Sequence, residues 1–239
     1  MQLIILAGGL GTRISEETDF IPKPMVRVGS LPIIWHIIKY YSCYGVKEVI
    51  ICTGYKYEII EEFFKNKDIL KSISNNIKVK PIFTGYKSNT GERIKKIRKF
   101  LNNDFFLTYG DGLSNVNIDK LFKFHKKRNK IATVTIVKPQ PRFGKITLIR
   151  DVVKKIEEKK NKNEHWINGG FFVCNKKIFN FFKKKNSIFE SDVLPGIARK
   201  KELLAYKHKE FWQPMDTLKE KRYLNDLWDN KKAPWKVWK

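Results

Sequence analysis

Cysteine and histidine are scarce in this chain of 239 residues, which has three cysteines and four histidines. Cys43, Cys52 and Cys174 are far apart and have no metal-binding spacing, which is typical of core residues in a reducing compartment. The histidines are equally scattered, and the apolar surroundings of His36 favour a packed side chain over a ligand. The sequence therefore predicts neither a disulfide framework nor a zinc site.

Long apolar stretches are also missing. No run approaches the roughly 20 residues that cross a bilayer. The first residues enter an apolar strand directly, without the cationic region and cleavage site of a secretory signal. A composition of 42% hydrophobic and 31% charged residues is typical of a globular chain that buries a sizeable core. We therefore expect a cytoplasmic protein with no membrane partner.

Acidic residues are few: the 24 Asp and Glu face 49 Lys and Arg, which gives a net charge of +25. Such a charge raises the possibility of a nucleic-acid or polyanion-binding module. The lysines, however, are spread along the whole chain and no nucleic-acid reading motif accompanies them. We expect no specific nucleic-acid partner, although the charge attracts small anions such as nucleoside triphosphates.

The first half of the chain alternates strand-like and helix-like segments. This alternation predicts an α/β fold, with a mostly parallel sheet flanked by helices on both faces. Ligands of such sheets bind at the carboxyl ends of the strands. The predicted strands are 2–7, 47–52, 77–83, 104–109 and 132–137, and the predicted helices are 31–44, 57–64, 91–101 and 118–128.

The pattern changes after residue 143. No repeat, low-complexity linker or hinge separates the two parts, so we expect one domain, 1–239, with a small additional β subregion. The predicted elements of this part are a hairpin of 143–149 and 152–158, a strand at 166–173, and helices at 175–185, 190–200 and 217–228.

The first predicted strand leads into a glycine-rich loop that ends at Arg13. Glycines allow a close backbone approach, successive N–H groups form an anion site, and arginine suits phosphate oxygens. The loop therefore predicts a site for a phosphate-bearing nucleotide. It lacks the lysine of a P-loop, and Ile14 stands where the dinucleotide fingerprint has its third glycine. A tight structural turn is the alternative.

Two segments near this loop carry charges suited to phosphate chemistry. Lys23 stands between Pro22 and Pro24, so that a rigid loop projects its ammonium. Asp111 follows a predicted buried strand, where a carboxylate suits Mg²⁺, although aspartate is also common in turns.

Two segments of the second half offer further polar groups. Asn168-Gly169-Gly170 presents an amide and an accessible backbone, as a polyhydroxylated ligand requires, or else forms a β-bulge. Asp216 follows the aromatic pair Phe211-Trp212 and supplies a second carboxylate, or else an N-cap.

Taken together, these segments resemble the sugar-1-phosphate nucleotidyltransferases over the whole chain. The resemblance implies a Rossmann-like mixed, mostly parallel sheet, Mg²⁺ as cofactor and a homo-oligomer. It assigns nucleotide binding mainly to 1–140 and sugar binding mainly to 141–239. The motifs that carry it are Leu6-Ala-Gly-Gly-Leu-Gly-Thr-Arg13, Pro22-Lys-Pro-Met25, Trp35-His36, Tyr109-Gly-Asp-Gly112, Arg142-Phe-Gly144, Ile167-Asn-Gly-Gly-Phe-Phe172, Phe211-Trp-Gln-Pro-Met-Asp-Thr217 and Ala233-Pro-Trp-Lys236.

The segment from Phe211 to Thr217 is similar to the branch of this family that transfers cytidylyl groups. The resemblance implies that CTP and α-D-glucose 1-phosphate give CDP-glucose and pyrophosphate, for deoxysugar and surface polysaccharide (O-antigen) synthesis. Another nucleotide such as dTTP or UTP, another phosphorylated acceptor, and a sensor without turnover are the alternatives.

Carried over by position, the resemblance gives Arg13, Lys23 and Asp111 catalytic roles and Mg²⁺ binding to Asp111 and Asp216. Two departures stand out: 73–84 is shorter than usual in the family, and Glu158-Lys159-Lys160 replaces its Glu-Lys-Pro motif. The implied substrate contacts are Leu6, Ala7, Gly8, Gly9, Leu10, Gly11, Thr12, Arg13, Lys23, Ser88, Arg93, Gly110, Lys159, Asn168 and Gly169.

Overall fold

The computed structural model describes residues 1–139, 144–157 and 165–238, without the side chains of Arg13, Ser15, Lys145 and Glu157. None of the helices in these ranges is both long enough and apolar enough to span a bilayer. The strands are β1 Gln2–Ala7, β2 Arg27–Val28, β3 Leu31–Pro32, β4 Glu48–Thr53, β5 Lys78–Phe83, β6 Asp104–Tyr109, β7 Gly112–Ser114, β8 Ala132–Val137, β9 Lys145–Ile149, β10 Val152–Glu157, β11 Ile167–Asn175, β12 Leu203–His208 and β13 Trp212–Pro214. The α-helices are α1 Ser15–Thr18, α2 Ile33–Ser42, α3 Tyr57–Lys65, α4 Lys67–Ile73, α5 Thr90–Lys96, α6 Ile118–Arg128, α7 Leu194–Arg199 and α8 Leu218–Asp229.

Seven strands form one sheet in the order β12-β8-β11-β6-β1-β4-β5. Strand β11 runs antiparallel to both of its neighbours, β6 and β8, whereas the other neighbouring pairs are parallel. All six residues of β1 are buried, as expected for a strand covered on both faces. The predicted mixed, mostly parallel α/β sheet is confirmed.

The core lies in two apolar layers, one on each face of the sheet. Because side chains alternate along a strand, Leu3 and Ile5 of β1 pack in one layer and Ile4 and Leu6 in the other. The first layer includes the apolar face of α2, and the second includes that of α7. Helices therefore cover both faces, as the sequence predicts.

Four predicted segments have the observed bounds: β1, β6, α6 and β8. The predicted hairpin is present as β9 and β10, which pair with each other in a separate two-stranded sheet. Both of its predicted outer ends extend into residues outside the described ranges. The strand β12, at the edge of the main sheet, is an element that the sequence analysis missed.

Three segments that were predicted as single α-helices have other structures. The segment 175–185 contains a 3₁₀-helix at Lys176–Phe181. The rings of Phe179 and Phe182 stack beside it with their centroids 5.2 Å apart, because side chains three residues apart nearly eclipse one another in this geometry. The segment 190–200 divides into a π-helix at Phe189–Val193 and α7, because proline near the start of α7 favours a new first turn. The segment 91–101 divides into α5 and the 3₁₀-turn Arg98–Phe100.

His36 lies in α2 and is completely buried beneath the carboxyl-terminal segment. Trp235 Nε1, which can only donate, lies 3.4 Å from His36 Nδ1, so His36 Nε2–H donates to the carbonyl of Val28 at 2.9 Å. The ring of Trp228 packs edge-on against the imidazole at 4.5 Å. Burial outweighs the backbone hydrogen bonds and lowers the pKa of His36 to about 4. The prediction of a packed histidine is confirmed.

The buried imidazole makes folding sensitive to mild acid. The unfolded chain takes up a proton near pH 6.5, whereas the folded chain resists it down to about pH 4. His36 therefore costs stability as the pH falls, by about 2 kcal/mol between pH 7 and pH 5. Chemical unfolding at both values, for the wild type and for His36→Gln, measures this difference. An equal loss of stability in both proteins would contradict the assignment.

Candidate active site

A cleft of about 620 Å³ opens at the carboxyl ends of β1 and β6, where ligands of such sheets bind. It brings together the glycine-rich loop, Lys23, the two predicted metal carboxylates and the Asn168–Gly170 turn. Its lining includes Leu6, Ala7, Gly8, Gly9, Gly11, Thr12, Lys23, Ser88, Thr90, Arg93, Tyr109, Gly110, Asp111, Asn168, Gly169, Gly170, Trp212 and Asp216.

One predicted site residue lies away from the cleft, and two others fall wholly or partly outside the described part of the chain. Leu10 is 59% exposed and does not line the cleft. The backbone of Arg13 lies in the 3₁₀-turn Thr12–Ile14 that closes the loop, but its side chain is outside the described part of the chain. Lys159 also falls outside the described ranges, so its predicted contact stays a prediction.

Arg93 connects the carboxyl ends of β1, β4 and β5 through hydrogen bonds to residues at or just after the end of each strand. Its guanidinium Nη2 donates to the Gly8 carbonyl at 2.8 Å. Its Nη1 lies 2.8 Å from the Thr53 carbonyl, 2.9 Å from the Gly85 carbonyl and 2.7 Å from Thr84 Oγ1. Arg93 was predicted as a substrate contact, and it also fixes the start of the glycine-rich loop.

Because the guanidinium lies so close, Gly8 has no room for a side chain. A Cβ at this position would lie 2.2 Å from Arg93 Cζ, whereas a Cβ at Gly9 would meet nothing within 4 Å. We expect Gly8→Ala to lower the free energy of unfolding by about 1–3 kcal/mol and to weaken nucleotide binding about tenfold or more.

Gly9→Ala is the matched control for the steric clash and should unfold like the wild type, because a Cβ there meets nothing within 4 Å. Thermal unfolding compares the two variants, and titration calorimetry with CTP measures the nucleotide affinity of Gly8→Ala. Equal stability in both variants, or wild-type nucleotide affinity in Gly8→Ala, would contradict the role given to this contact.

Lys23 is buried in the floor of the cleft and joins the two predicted metal carboxylates. Its Nζ donates to Asp111 Oδ2 and to Asp216 Oδ1, each at 2.6 Å. Lys23 and Asp216 are buried, while the Asp111 side chain is 29% exposed. Burial opposes the positive charge, but the two carboxylates outweigh it and raise the pKa of Lys23. The ammonium is therefore enclosed and charged, and not projected from a loop as predicted.

A small ladder brings the two carboxylates together from distant parts of the chain. Strands β7 and β13 pair antiparallel, with Gly112 opposite Pro214, and Met215 N–H donates to the Asp111 carbonyl at 2.8 Å. The N-cap of α8 is Thr217, so the alternative of Asp216 as a plain N-cap is wrong. Glu220 completes the capping box and also accepts from the Asp216 N–H at 2.7 Å.

The donor set fits a divalent cation with oxygen preference. Asp111 Oδ2 and Asp216 Oδ1 each lie 2.6 Å from Lys23 Nζ. The two carboxylate oxygens are therefore separated by no more than twice that distance. Mg²⁺ is bound in proteins by one or two carboxylates, with phosphates of the substrate completing the coordination. Within the described ranges, no cluster of three His, Cys, Asp or Glu side chains offers an all-protein metal site.

The opposite wall of the cleft is formed by the start of β11. The pairing of β11 with β8 shifts register between Asn168 and Phe172, in agreement with the predicted bulge, and Asn168–Gly170 also line the cleft. Their contact with a ligand stays a prediction. Trp212 Nε1–H donates to the Gly169 carbonyl at 2.7 Å and links this wall to β13. Ser88 donates to the Thr84 carbonyl at 2.5 Å while lining the cleft.

Thr90 and Tyr109 are among the cleft-lining residues that were not assigned to the site from the sequence, and their shared partner Glu190 was not assigned either. Tyr109 ends a strand that was correctly predicted, so its position at the ligand-binding edge could have been inferred. Glu190 offers no such signal, because its segment has the periodicity of an ordinary helix.

The comparisons with known proteins agree with this geometry. A family described as nucleotidyl transferase matches residues 2–227. The glucose-1-phosphate cytidylyltransferase of Salmonella typhimurium is 42% identical over 256 aligned positions, which cover all of both chains. A probable glucose-1-phosphate cytidylyltransferase of Bacillus subtilis is 38% identical, again over all of both chains. The structure of a putative glucose-1-phosphate thymidylyltransferase from Bacillus anthracis superposes with a TM-score of 0.76 at 20% identity, covering 95% of this chain and 94% of that one, which supports the fold alone.

Proposed function

Because this chain belongs to the nucleotidyl transferase family, we propose that it transfers a cytidylyl group from CTP to α-D-glucose 1-phosphate. The products are CDP-glucose and pyrophosphate. The observation that carries the proposal is the 42% identity, over the whole chain, to a relative named for this reaction. The cleft adds a glycine-rich loop, a buried ammonium and two carboxylates at the ligand-binding edge of the sheet.

The reaction needs no general base. A phosphate monoester has its second pKa near 6, so glucose 1-phosphate is largely a dianion at neutral pH. One of its phosphate oxygens forms a bond to the α-phosphorus of CTP, and the bond from that phosphorus to the bridging oxygen of the β-phosphate breaks. Pyrophosphate leaves with that electron pair. Catalysis then consists mainly of alignment and neutralisation of charge.

The residues of the cleft align the substrates and neutralise their charge. The loop from Gly8 to Arg13 holds the triphosphate, and Arg93 keeps the first carbonyl of that loop in place. Lys23 places a permanent positive charge at the edge where the two phosphates meet. Asp111 and Asp216 would hold Mg²⁺, which lowers the repulsion between the phosphates when bound.

A matrix of nucleotides and sugar phosphates tests the proposal. CTP, UTP, dTTP and GTP are each combined with glucose 1-phosphate, mannose 1-phosphate and glucose 6-phosphate, and pyrophosphate release is measured with Mg²⁺. We expect CTP with glucose 1-phosphate to exceed every other pair in kcat/KM by at least tenfold. Preference for another nucleotide or acceptor would overturn the substrate assignment, and binding without release in any pair would indicate a sensor.

Three finer statements belong to the same proposal and follow from the family resemblance. Mg²⁺ is the activating cation, the active form is a homo-oligomer, and CDP-glucose feeds the cytoplasmic synthesis of deoxysugars for surface polysaccharide. Light scattering of the purified protein tests the second statement, and a molar mass of one 28.3 kDa chain would contradict it.

A further inference from the structure

Glu190 stands behind the wall of the cleft, in the π-helix Phe189–Val193. Its Oε1 accepts from the Tyr109 hydroxyl at 2.5 Å, and its Oε2 accepts from the Thr90 hydroxyl at 2.7 Å. Both donors line the cleft, while Glu190 itself does not. Short π-helical turns occur frequently at functional sites. One carboxylate thus joins the end of β6 to the start of α5.

The direction of these hydrogen bonds determines the orientation of the Asn168 side-chain amide. The Tyr109 hydroxyl has one hydrogen, which it donates to Glu190, so its oxygen can only accept from Asn168 Nδ2 at 3.1 Å. On its other side, Asn168 Oδ1 accepts from Gly170 N–H at 2.9 Å. The positions of the oxygen and the nitrogen of the Asn168 amide are therefore assigned. Among the residues that the structure describes, the second N–H of Asn168 has no acceptor, and it faces the cleft that Asn168 lines.

The Tyr109 ring is held in place as firmly as its hydroxyl. A Cβ at Gly170, where φ is +83°, would lie 2.5 Å from the Tyr109 ring, so the ring packs directly on the turn that carries Asn168.

We propose that Glu190 is a positioning residue for the sugar-phosphate acceptor: through Tyr109 it locks the Asn168 amide with an N–H directed to a sugar hydroxyl. This inference rests on the proposed function, in which the acceptor is a hexose phosphate. Glu190 touches no substrate, and its effect passes through the two hydrogen bonds of Tyr109.

Steady-state kinetics of Glu190→Ala, Glu190→Gln and Tyr109→Phe test the proposal. We expect Glu190→Ala to raise the KM for glucose 1-phosphate about tenfold, as the loss of one oriented hydrogen bond implies, with the KM for CTP unchanged within twofold. Tyr109→Phe should reproduce this change, and the double variant should be no worse than either single one. Glu190→Gln, which keeps an acceptor oxygen, should recover most of the loss.

Asp192→Asn is the matched control, because Asp192 lies in the same π-helix but bonds Lys184 and the Ile188 N–H. It should leave both KM values unchanged. Equal rises for CTP and acceptor in Glu190→Ala, or additive effects in the double variant, would overturn the proposal.

Wild-type turnover separately decides the proposed function. If the wild type uses another sugar phosphate, the KM of Glu190→Ala for that acceptor is compared with the wild-type KM, and this ratio tests the inference. A wild type that accepts no sugar phosphate would overturn both.

Discussion

Asp111→Asn should lower kcat by roughly 10²–10³-fold, because it weakens binding of the Mg²⁺ that would stabilise the transition state, and losing one such stabilising group costs about that much. The substitution keeps the shape of the side chain but removes one of the two negative charges beside Lys23 Nζ. Stopped assays of CDP-glucose formation at saturating CTP and glucose 1-phosphate measure the loss. Raising Mg²⁺ should recover part of the rate, since the variant binds the cation more weakly.

Asp104→Asn is the control for this variant. Asp104 begins the same strand at its opposite end and pairs with Lys126 at 2.9 Å, far from the cleft lining. We expect near-wild-type turnover, with a loss in the free energy of unfolding of about 1–3 kcal/mol, because Asp104 also accepts from Asn175 Nδ2 at 2.7 Å. Full activity in Asp111→Asn would exclude this carboxylate from the chemistry.

Lys23→Met should damage both folding and turnover. The substitution leaves the Asp111 and Asp216 carboxylates facing each other around a buried position. Removing one partner of a buried ion pair costs about 3–5 kcal/mol, and the partial exposure of Asp111 places the expected loss near the lower figure. Mg²⁺ at millimolar concentration should raise the melting temperature of the variant more than that of the wild type, because a cation then replaces the missing ammonium between the carboxylates.

Lys221→Met provides the comparison. Lys221 lies 2.5 Å from Glu17 and is more exposed than Lys23. Its loss should cost about 1 kcal/mol or less and leave turnover unchanged. If Mg²⁺ stabilised Lys23→Met no more than the wild type, the two carboxylates would not form a cation site.

Much of the fold could be predicted because single strands and helices are specified by the pattern of residues within their own segments. The uninterrupted apolar run of β1 and the helical periodicity of α6 specify these elements with their observed bounds. The glycine-rich loop and the Asp111 segment follow predicted strands, and the carboxyl ends of parallel strands share one edge of the sheet. The sequence therefore predicted correctly that these segments meet.

The contacts that organise the site could not be predicted, because they join distant parts of the chain. Lys23 meets carboxylates 88 and 193 positions away, and only the pairing of β7 with β13 places them together. The four acceptors of Arg93 come together only where the carboxyl ends of three strands converge. The π-helix of Glu190 is a single turn of five residues, too short for its hydrogen-bond pattern to appear in the spacing of the apolar residues.

Isotope transfer tests the central claim most directly. Glucose 1-phosphate that carries ¹⁸O in its three non-bridging phosphate oxygens is incubated with CTP, Mg²⁺ and the protein, and the products are analysed by mass spectrometry. Attack on the α-phosphorus predicts CDP-glucose that retains all three labelled oxygens, together with unlabelled pyrophosphate. Labelled pyrophosphate, or the absence of CDP-glucose, would contradict cytidylyl transfer in this cleft.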